Sequence, residues 1–173
     1  MPENVEIKAV AREPNTIGSR AEALSGSPGE LLLQEDTFFH TPHGRLKLRE
    51  TIQSGQRRAE LIHYVRPDAT GPKLSRYEVV PLADPVPLKR VLTASLGIKG
   101  VVTKQRRLYL VGQTRVHLDR VDTLGDFVEL EVVVRAGQSA EQGQQIASEL
   151  MAKLGIRPAD LRAGAYLDHM ENS

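Results

Sequence analysis

The chain has 173 residues, 40% of them hydrophobic, which suffices for the core of one domain running over residues 1–173. Its 23 lysines and arginines nearly balance 22 aspartates and glutamates, so no global field draws it to nucleic acid or to a membrane surface, and a partner must be attracted by local arrangement. The lack of cysteine excludes disulfides and thiolate metal sites, and with no apolar signal core and no run near the ~20 apolar residues that span a bilayer, the chain reads as soluble and cytoplasmic.

The first predicted element is a strand, NVEIKAV, in which Asn4, Glu6, Lys8 and Val10 share one face and Val5, Ile7 and Ala9 the other. PNTIGSRAEALSG follows as a short helix: Pro14 and Thr16 start it, Ile17, Ala21 and Leu24 have helical spacing, and Gly26 stops it. LLLQEDTFFHT reads as a strand ending in the turn residues TPHG. In RLKLRET, Arg45, Lys47 and Arg49 then face away from Leu46 and Leu48. RRAELIHYVRP is a further strand with Arg58, Glu60, Ile62, Tyr64 and Arg66 in one row, closed by Pro67. GPKLSRYEVVPL carries Lys73, Ser75 and Tyr77 on one side.

PVPLKRVLTASLG predicts a helix with Leu88, Val91, Leu92 and Leu96 on its apolar stripe and Gly97 at its end. Three strands resume the charged rows. VVTKQRRLYLV aligns Lys104 with Arg106, QTRVHLD aligns Arg115, His117 and Asp119, and DFVELEVVV aligns Glu129 with Glu131. The tail reads as helical, first SAEQGQQIASELMAKLG with Ile146, Leu150 and Leu154, then PADLRAGAYLDHM.

A charged row on one strand is an ordinary solvated face. Its recurrence from strand to strand is not ordinary. The middle strands are nearly all cationic in this row, while carboxylates gather on the first, seventh and eighth strands. Two geometries satisfy the pattern: a sheet or sandwich with apolar faces inside, or a closed barrel whose lumen takes the charges while helices cover its apolar exterior. Enclosed cations are too costly to leave unpaired, so such a lumen must be hydrated or hold a dense anion such as a polyphosphate. Arginine and lysine supply charge-assisted hydrogen bonds to phosphate oxygens. Carboxylates beside phosphate call for a mediator, which Mg²⁺ or Mn²⁺ provides by bridging the two.

Five segments taken in order, NVEIK at an N-terminal ExExK signature, QEDTFF with GRLKLRE, YVRPDATGPKLS, VVTKQRRLYLVGQTRVHLD and LGDFVELEV, resemble the CYTH superfamily of triphosphate tunnel metalloenzymes. Within it the chain looks most like the class IV adenylyl cyclase branch. The resemblance implies an α+β fold, an eight-stranded antiparallel tunnel with helices outside. It implies divalent metal at Glu6, Glu129 and Glu131, with Asp119 contributing. Lys8, Lys47, Arg49, Arg66, Lys73, Lys104, Arg106 and Arg115 match the positions that bind the triphosphate, and Lys8, Arg106 and Glu131 are expected to carry catalysis. One departure stands out: the first glutamate of the signature is Asn4, which offers an oxygen without a charge.

The implied reaction is cyclisation of ATP to cyclic AMP and pyrophosphate. The same tunnel would suit hydrolysis of tripolyphosphate, thiamine triphosphate or a nucleoside triphosphate. A different class of function, a non-catalytic polyphosphate-binding module, is favoured by Asn4 and opposed by the retained carboxylates. The resemblance is compatible with a homodimer. Aromatic residues are only 4% of the chain, which opposes single-stranded nucleic-acid binding. Phe38, Phe39 and Phe127 read as strand packing, and His40 and His43 as turn-exposed. His117 suits either a phosphate contact or acid–base work, or a structural hydrogen bond. In the second strand, either the row with Gln34 and Asp36 or the row with Glu35 faces inward.

Overall fold

Alternation along the first strand, β1 (Glu3–Val10), sends Val5, Ile7 and Ala9 into a packed exterior core and turns Asn4, Glu6 and Lys8 into an enclosed lumen. The computed structural model describes residues 1–171. Its elements follow as α1 (Pro14–Ser25), β2 (Glu30–Phe39), β3 (Arg45–Gln53), β4 (Gln56–Val65), β5 (Lys73–Leu82), α2 (Pro85–Leu96), β6 (Ile98–Val111), β7 (Thr114–Val121), β8 (Gly125–Val133), α3 (Ala140–Leu154), a 3₁₀ turn (Pro158–Asp160) and α4 (Tyr166–Glu171). The eight strands close in the order β1-β5-β4-β3-β2-β6-β7-β8, all antiparallel.

Closure decides between the two geometries the sequence allowed. β1 pairs with β5 on one side and β8 on the other, so the sheet has no edge and the charged rows enclose a tunnel. The fold is therefore the expected α+β barrel with a charged lumen.

The apolar exterior of β1, β7 and β8 is covered by α1 and α3. Val5, Ile7, Val116, Leu130 and Val132 pack there against Ile17, Ala21, Ala147, Leu150 and Leu154. α3 begins with a reciprocal cap: Ser139 accepts from the Gln142 amide while the Gln142 side chain accepts from the Ser139 amide. Gly143 lets this helix lie close to β1, since a Cβ there would come within 2.7 Å of Val5 Cγ2. In the TPHG turn, Gly44 takes a left-handed φ of 65°, and a Cβ would lie 2.6 Å from the Tyr64 carbonyl.

Two expectations need correction. The apolar stripe of α2 is not buried: Leu88 and Leu92 are half-buried, whereas Val86, Val91 and Leu96 are exposed. Polar ties anchor α2 to the barrel instead, with Lys89 Nζ 2.9 Å from Glu50 of β3 and 3.6 Å from Glu35 of β2. Nor is PADLRAGAYLDHM one helix. Its middle is extended: Leu161 bridges Ala9, the Arg162 amide donates to the Lys8 carbonyl, and Gly164 has φ 78° before α4 begins. This segment crosses one end of the barrel, where Tyr166 and Leu167 pack with Phe38, Val102, Val121 and Phe127. No helix among the described residues is long and apolar enough to cross a membrane.

Candidate active site

Antiparallel register stacks the charged rows of neighbouring strands at one level of the barrel. Glu6 faces Glu131, Lys8 faces Glu129, Asp36 faces Arg49, Arg106 faces Asp119, and Arg115 faces Glu131. The result is a cavity of about 300 Å³, lined by Lys8, Lys47, Arg49, Arg66, Lys104, Arg106 and Arg115 together with Glu6, Glu129 and Glu131. Lys73, the eighth expected cation, is buried at the start of β5 opposite Glu6 in register, and its ammonium makes no hydrogen bond among the described residues.

A carboxylate that sequence reading could not orient sits at the centre of the cationic wall. Asp36 accepts from Arg49 Nε and Nη2, both at 2.7 Å, from Lys104 Nζ at 3.1 Å and from Lys47 Nζ at 3.2 Å. The inner row of β2 is Leu32, Gln34, Asp36 and Phe38. Asp36 shares its row with Phe38, which packs at the closed end with Tyr166. Three cations splayed around one buried anion keep their positions before any ligand arrives.

The C-terminal segment closes one end of the tunnel. The Tyr166 hydroxyl donates to Asp119 Oδ2 at 2.7 Å, and Arg106 donates to both Asp119 oxygens at 2.7 Å. Asp119 is thus fully engaged in orienting Arg106. Lys8 Nζ donates to the Gly164 carbonyl at 2.7 Å and lies 4.2 Å above the Tyr166 ring. Arg66 bonds Glu6 Oε2 at 2.6 Å and the same Gly164 carbonyl at 3.0 Å. Arg45 forms a fork with Asp168 that holds α4 in place. Tyr166 was hidden from sequence reading by the mistaken continuous tail helix.

Opposite the cationic wall lies a convergence of donors. His117 Nδ1 is 4.0 Å from Glu129 Oε2 and 3.9 Å from Glu131 Oε1, and the three side chains bring one ligand atom each within 4.8 Å of one another. Nδ1 is buried without a hydrogen-bond partner among the described residues. Donors around a hard divalent cation with bonds near ~2.1 Å lie about 3–4.2 Å apart, so small side-chain movements would close this group on an ion, and its residues fit one. Glu6 and Asp119 stand outside the trio, held by Arg66 and by Arg106 with Tyr166. Asn4 is satisfied elsewhere: with its amide oriented to suit its neighbours, its oxygen accepts from Arg115 Nη2 at 3.0 Å and its nitrogen donates to the Glu3 carbonyl.

Burial shifts the lumen lysines most. It lowers Lys8 and Lys73 to about 8 and Lys104 to about 7, with neighbouring arginines adding to the effect in each case. Burial works against ionisation of the acids, but neighbouring groups overcome it at Glu129, where Lys8 leads, and at Glu131, where His117 leads and Arg115 and Arg106 follow; both lie below the usual carboxylate range, while burial and Arg106 lower His117 itself. Glu6 moves the other way, raised by burial and by the charge of Glu131 against the pull of Arg66. The lumen is an array of partly relieved cations beside a pocket of strongly ionised acids.

Known proteins share both features of the chain, its sequence and its barrel. It is 26% identical over 163 residues to the adenylate cyclase CyaB of Aeromonas hydrophila, covering 87% of this chain and 81% of that protein. The solved structure of PH1012 from Pyrococcus horikoshii OT3 superposes with a TM-score of 0.80 at 22% identity, over 95% of this chain and 98% of that one. A putative adenylyl cyclase from Hippeastrum, HpAC1, with a dominant triphosphatase activity, superposes with a TM-score of 0.61 at 14% identity, over 95% and 91% of the two chains. The CYTH domain model matches residues 2–166, which span every strand of the tunnel, and the chain belongs to the CYTH domain family.

Proposed function

We propose that this CYTH phosphotransfer enzyme binds the triphosphate of ATP in its tunnel and converts ATP to cyclic AMP and pyrophosphate. The observation that supports the reading is the convergence of eight lysines and arginines, Arg58 among them, on one cavity of about 300 Å³ that also holds Glu6, Glu129 and Glu131. A triphosphate is compact and highly anionic. Spread over it, these side chains would replace water as donors and neutralise charge that builds on the leaving pyrophosphate. Mg²⁺ or Mn²⁺, held by Glu129 and Glu131 with Glu6 beside them, would supply the bridge between carboxylates and phosphate oxygens.

Each side chain has a role in this reading. Lys47, Arg49 and Lys104, pre-set on Asp36, grip the far phosphates, while Lys8 and Arg106 lie between that wall and the acids and meet the reacting phosphate. Asp119 acts through Arg106, whose guanidinium it fixes in a planar fork. With Tyr166 closing one end, substrate enters at the other. The cavity lining also includes Leu32, Tyr77, Val79 and Leu108, surface that would suit a nucleoside trailing from the triphosphate. In cyclisation the ribose 3′-hydroxyl releases its proton to water as its oxygen bonds to the α-phosphorus, the bond from that phosphorus to the bridging oxygen breaks, and pyrophosphate departs with the electron pair. The cysteine-free composition is compatible with action in the cytoplasm.

Triphosphate hydrolysis is the second reading, supported by HpAC1 on the same fold. A panel of ATP, GTP, thiamine triphosphate and tripolyphosphate with Mg²⁺ or Mn²⁺ separates the two. Cyclic AMP with stoichiometric pyrophosphate supports the cyclase. Orthophosphate without cyclic nucleotide makes it a hydrolase, and measurable triphosphate binding with no product overturns both in favour of a binding module.

A further inference from the structure

We propose that His117 coordinates the divalent cation directly through Nδ1, giving the tunnel a mixed nitrogen–oxygen site that selects Mn²⁺ over Mg²⁺. The inference rests on the cation part of the reading above. Its starting point is an imbalance in the lumen: His117 is 4% exposed, yet Nδ1 has no hydrogen-bond partner among the described residues, and it lies 4.0 Å from Glu129 Oε2 and 3.9 Å from Glu131 Oε1. A buried polar atom left unpartnered is costly, so something not yet bound should satisfy it. The three donor atoms lie within 4.8 Å of one another. Between two carboxylate oxygens, a divalent cation is the natural partner, whereas a phosphate oxygen would be repelled there.

The neighbours strengthen the case. Asn4, at the signature position where a glutamate is expected, has turned its amide to Arg115 and Glu3, and Glu6 is taken by Arg66 at 2.6 Å. β1 therefore offers the cation little in this arrangement. β7 offers His117 instead, in register with Glu129 on β8. An imidazole in place of a carboxylate changes which ion binds best. Mg²⁺ prefers hard oxygen donors and sheds water reluctantly, while Mn²⁺ accepts imidazole nitrogen beside carboxylates more readily.

The test is pulsed EPR of Mn²⁺ bound to the full chain, unlabelled and carrying ¹⁵N-histidine, alone and with tripolyphosphate, alongside Mn²⁺ and Mg²⁺ titrations of the protein, His117→Asn and His117→Gln. The expected result is a directly bound histidine nitrogen that changes with the label and disappears in both variants. Mn²⁺ affinity should fall by about tenfold or more in the variants, while Mg²⁺ affinity shifts by less than about twofold. An unchanged melting temperature, with unchanged tripolyphosphate binding in the absence of divalent cation, in either variant would show that its fold is intact. Mn²⁺ bound without histidine nitrogen, nitrogen coupling that survives both substitutions, or an equal loss for both metals would overturn the proposal. Failure of the enzymatic reading is separate: Mn²⁺ on His117 without triphosphate turnover keeps this inference, and turnover with nitrogen-free Mn²⁺ removes only this one.

Discussion

Asp36 and Lys104 meet at 3.1 Å with both side chains almost wholly buried, on neighbouring strands β2 and β6. This contact, with Arg49 and Lys47 on the same carboxylate, sets the resting state of the cationic wall. Removing the anion leaves three buried cations uncompensated. Asp36→Asn should destabilise the ligand-free protein by about 3–5 kcal/mol, and saturating tripolyphosphate should recover most of the loss, since the anion takes over the carboxylate's role. Urea unfolding with and without tripolyphosphate checks both halves; a stability loss that the anion does not repair would deny Asp36 this role.

Stability should rise with pH above neutrality. Lys104 titrates at about 7 and Lys8 and Lys73 at about 8 in the folded protein, against 10.5 for an ordinary lysine. Between those values the unfolded chain holds protons that the folded chain lacks, so stability grows as pH climbs from 7 to 9 and levels off near 10.5. The slope is at most about 1.4 kcal/mol per pH unit for each lysine. Unfolding midpoints at pH 7, 8 and 9 test the direction, and a flat curve would mean the lumen lysines keep their protons. Because a bound polyanion favours charged lysines, tripolyphosphate binding at pH 8.5 should take up protons, seen as a buffer-dependent heat of binding.

Catalysis and folding should separate at the acid pocket. Glu131→Gln removes a strongly ionised carboxylate beside Glu129, and Lys8→Ala removes the cation between Glu129 and the Gly164 carbonyl of the C-terminal segment. Turnover should fall by about 10²-fold or more in either variant. Lys8→Ala should hardly affect folding, because burial disfavours that ammonium, whereas Glu131→Gln weakens the bond from Arg115 and should cost about 1–3 kcal/mol. Initial rates on the best substrate, with melting temperatures measured alongside, decide it: a variant that unfolds yet keeps its specific activity would count against the tunnel assignment.

Tyr166 should matter through its hydroxyl more than through its ring contacts with substrate. Tyr166→Phe leaves the edge-on packing against Phe127 at 5.1 Å but removes one of the donors to Asp119. A loss near ~1 kcal/mol in stability is expected, with kcat lowered as Arg106 loses part of its support and KM little changed. Tyr166→Ala would also open the closed end and cost about 3–5 kcal/mol. Steady-state kinetics on Tyr166→Phe is the informative experiment, since an unchanged kcat would reduce the tyrosine to packing.

What local sequence determined was the partition of faces. Period-two alternation in NVEIKAV, RLKLRET and DFVELEVVV separates apolar from charged rows without knowledge of the fold, because successive strand residues point to opposite sides. Repetition of those rows, with helical stripes needing a surface to cover, made an enclosed charged lumen legible as one of two solutions, and so brought Glu6, Lys8, Arg106, Glu129 and Glu131 into view as one group. Closure, register and the path of the tail were left to the tertiary structure, since each depends on pairings between residues far apart in the chain. Closure chose the tunnel over the sandwich. Register turned Asp36 inward against Lys104 and set His117 opposite Glu129. The Ala9–Leu161 bridge broke the expected terminal helix and carried Tyr166 into the closed end of the barrel, where no periodicity in PADLRAGAYLDHM could have placed it.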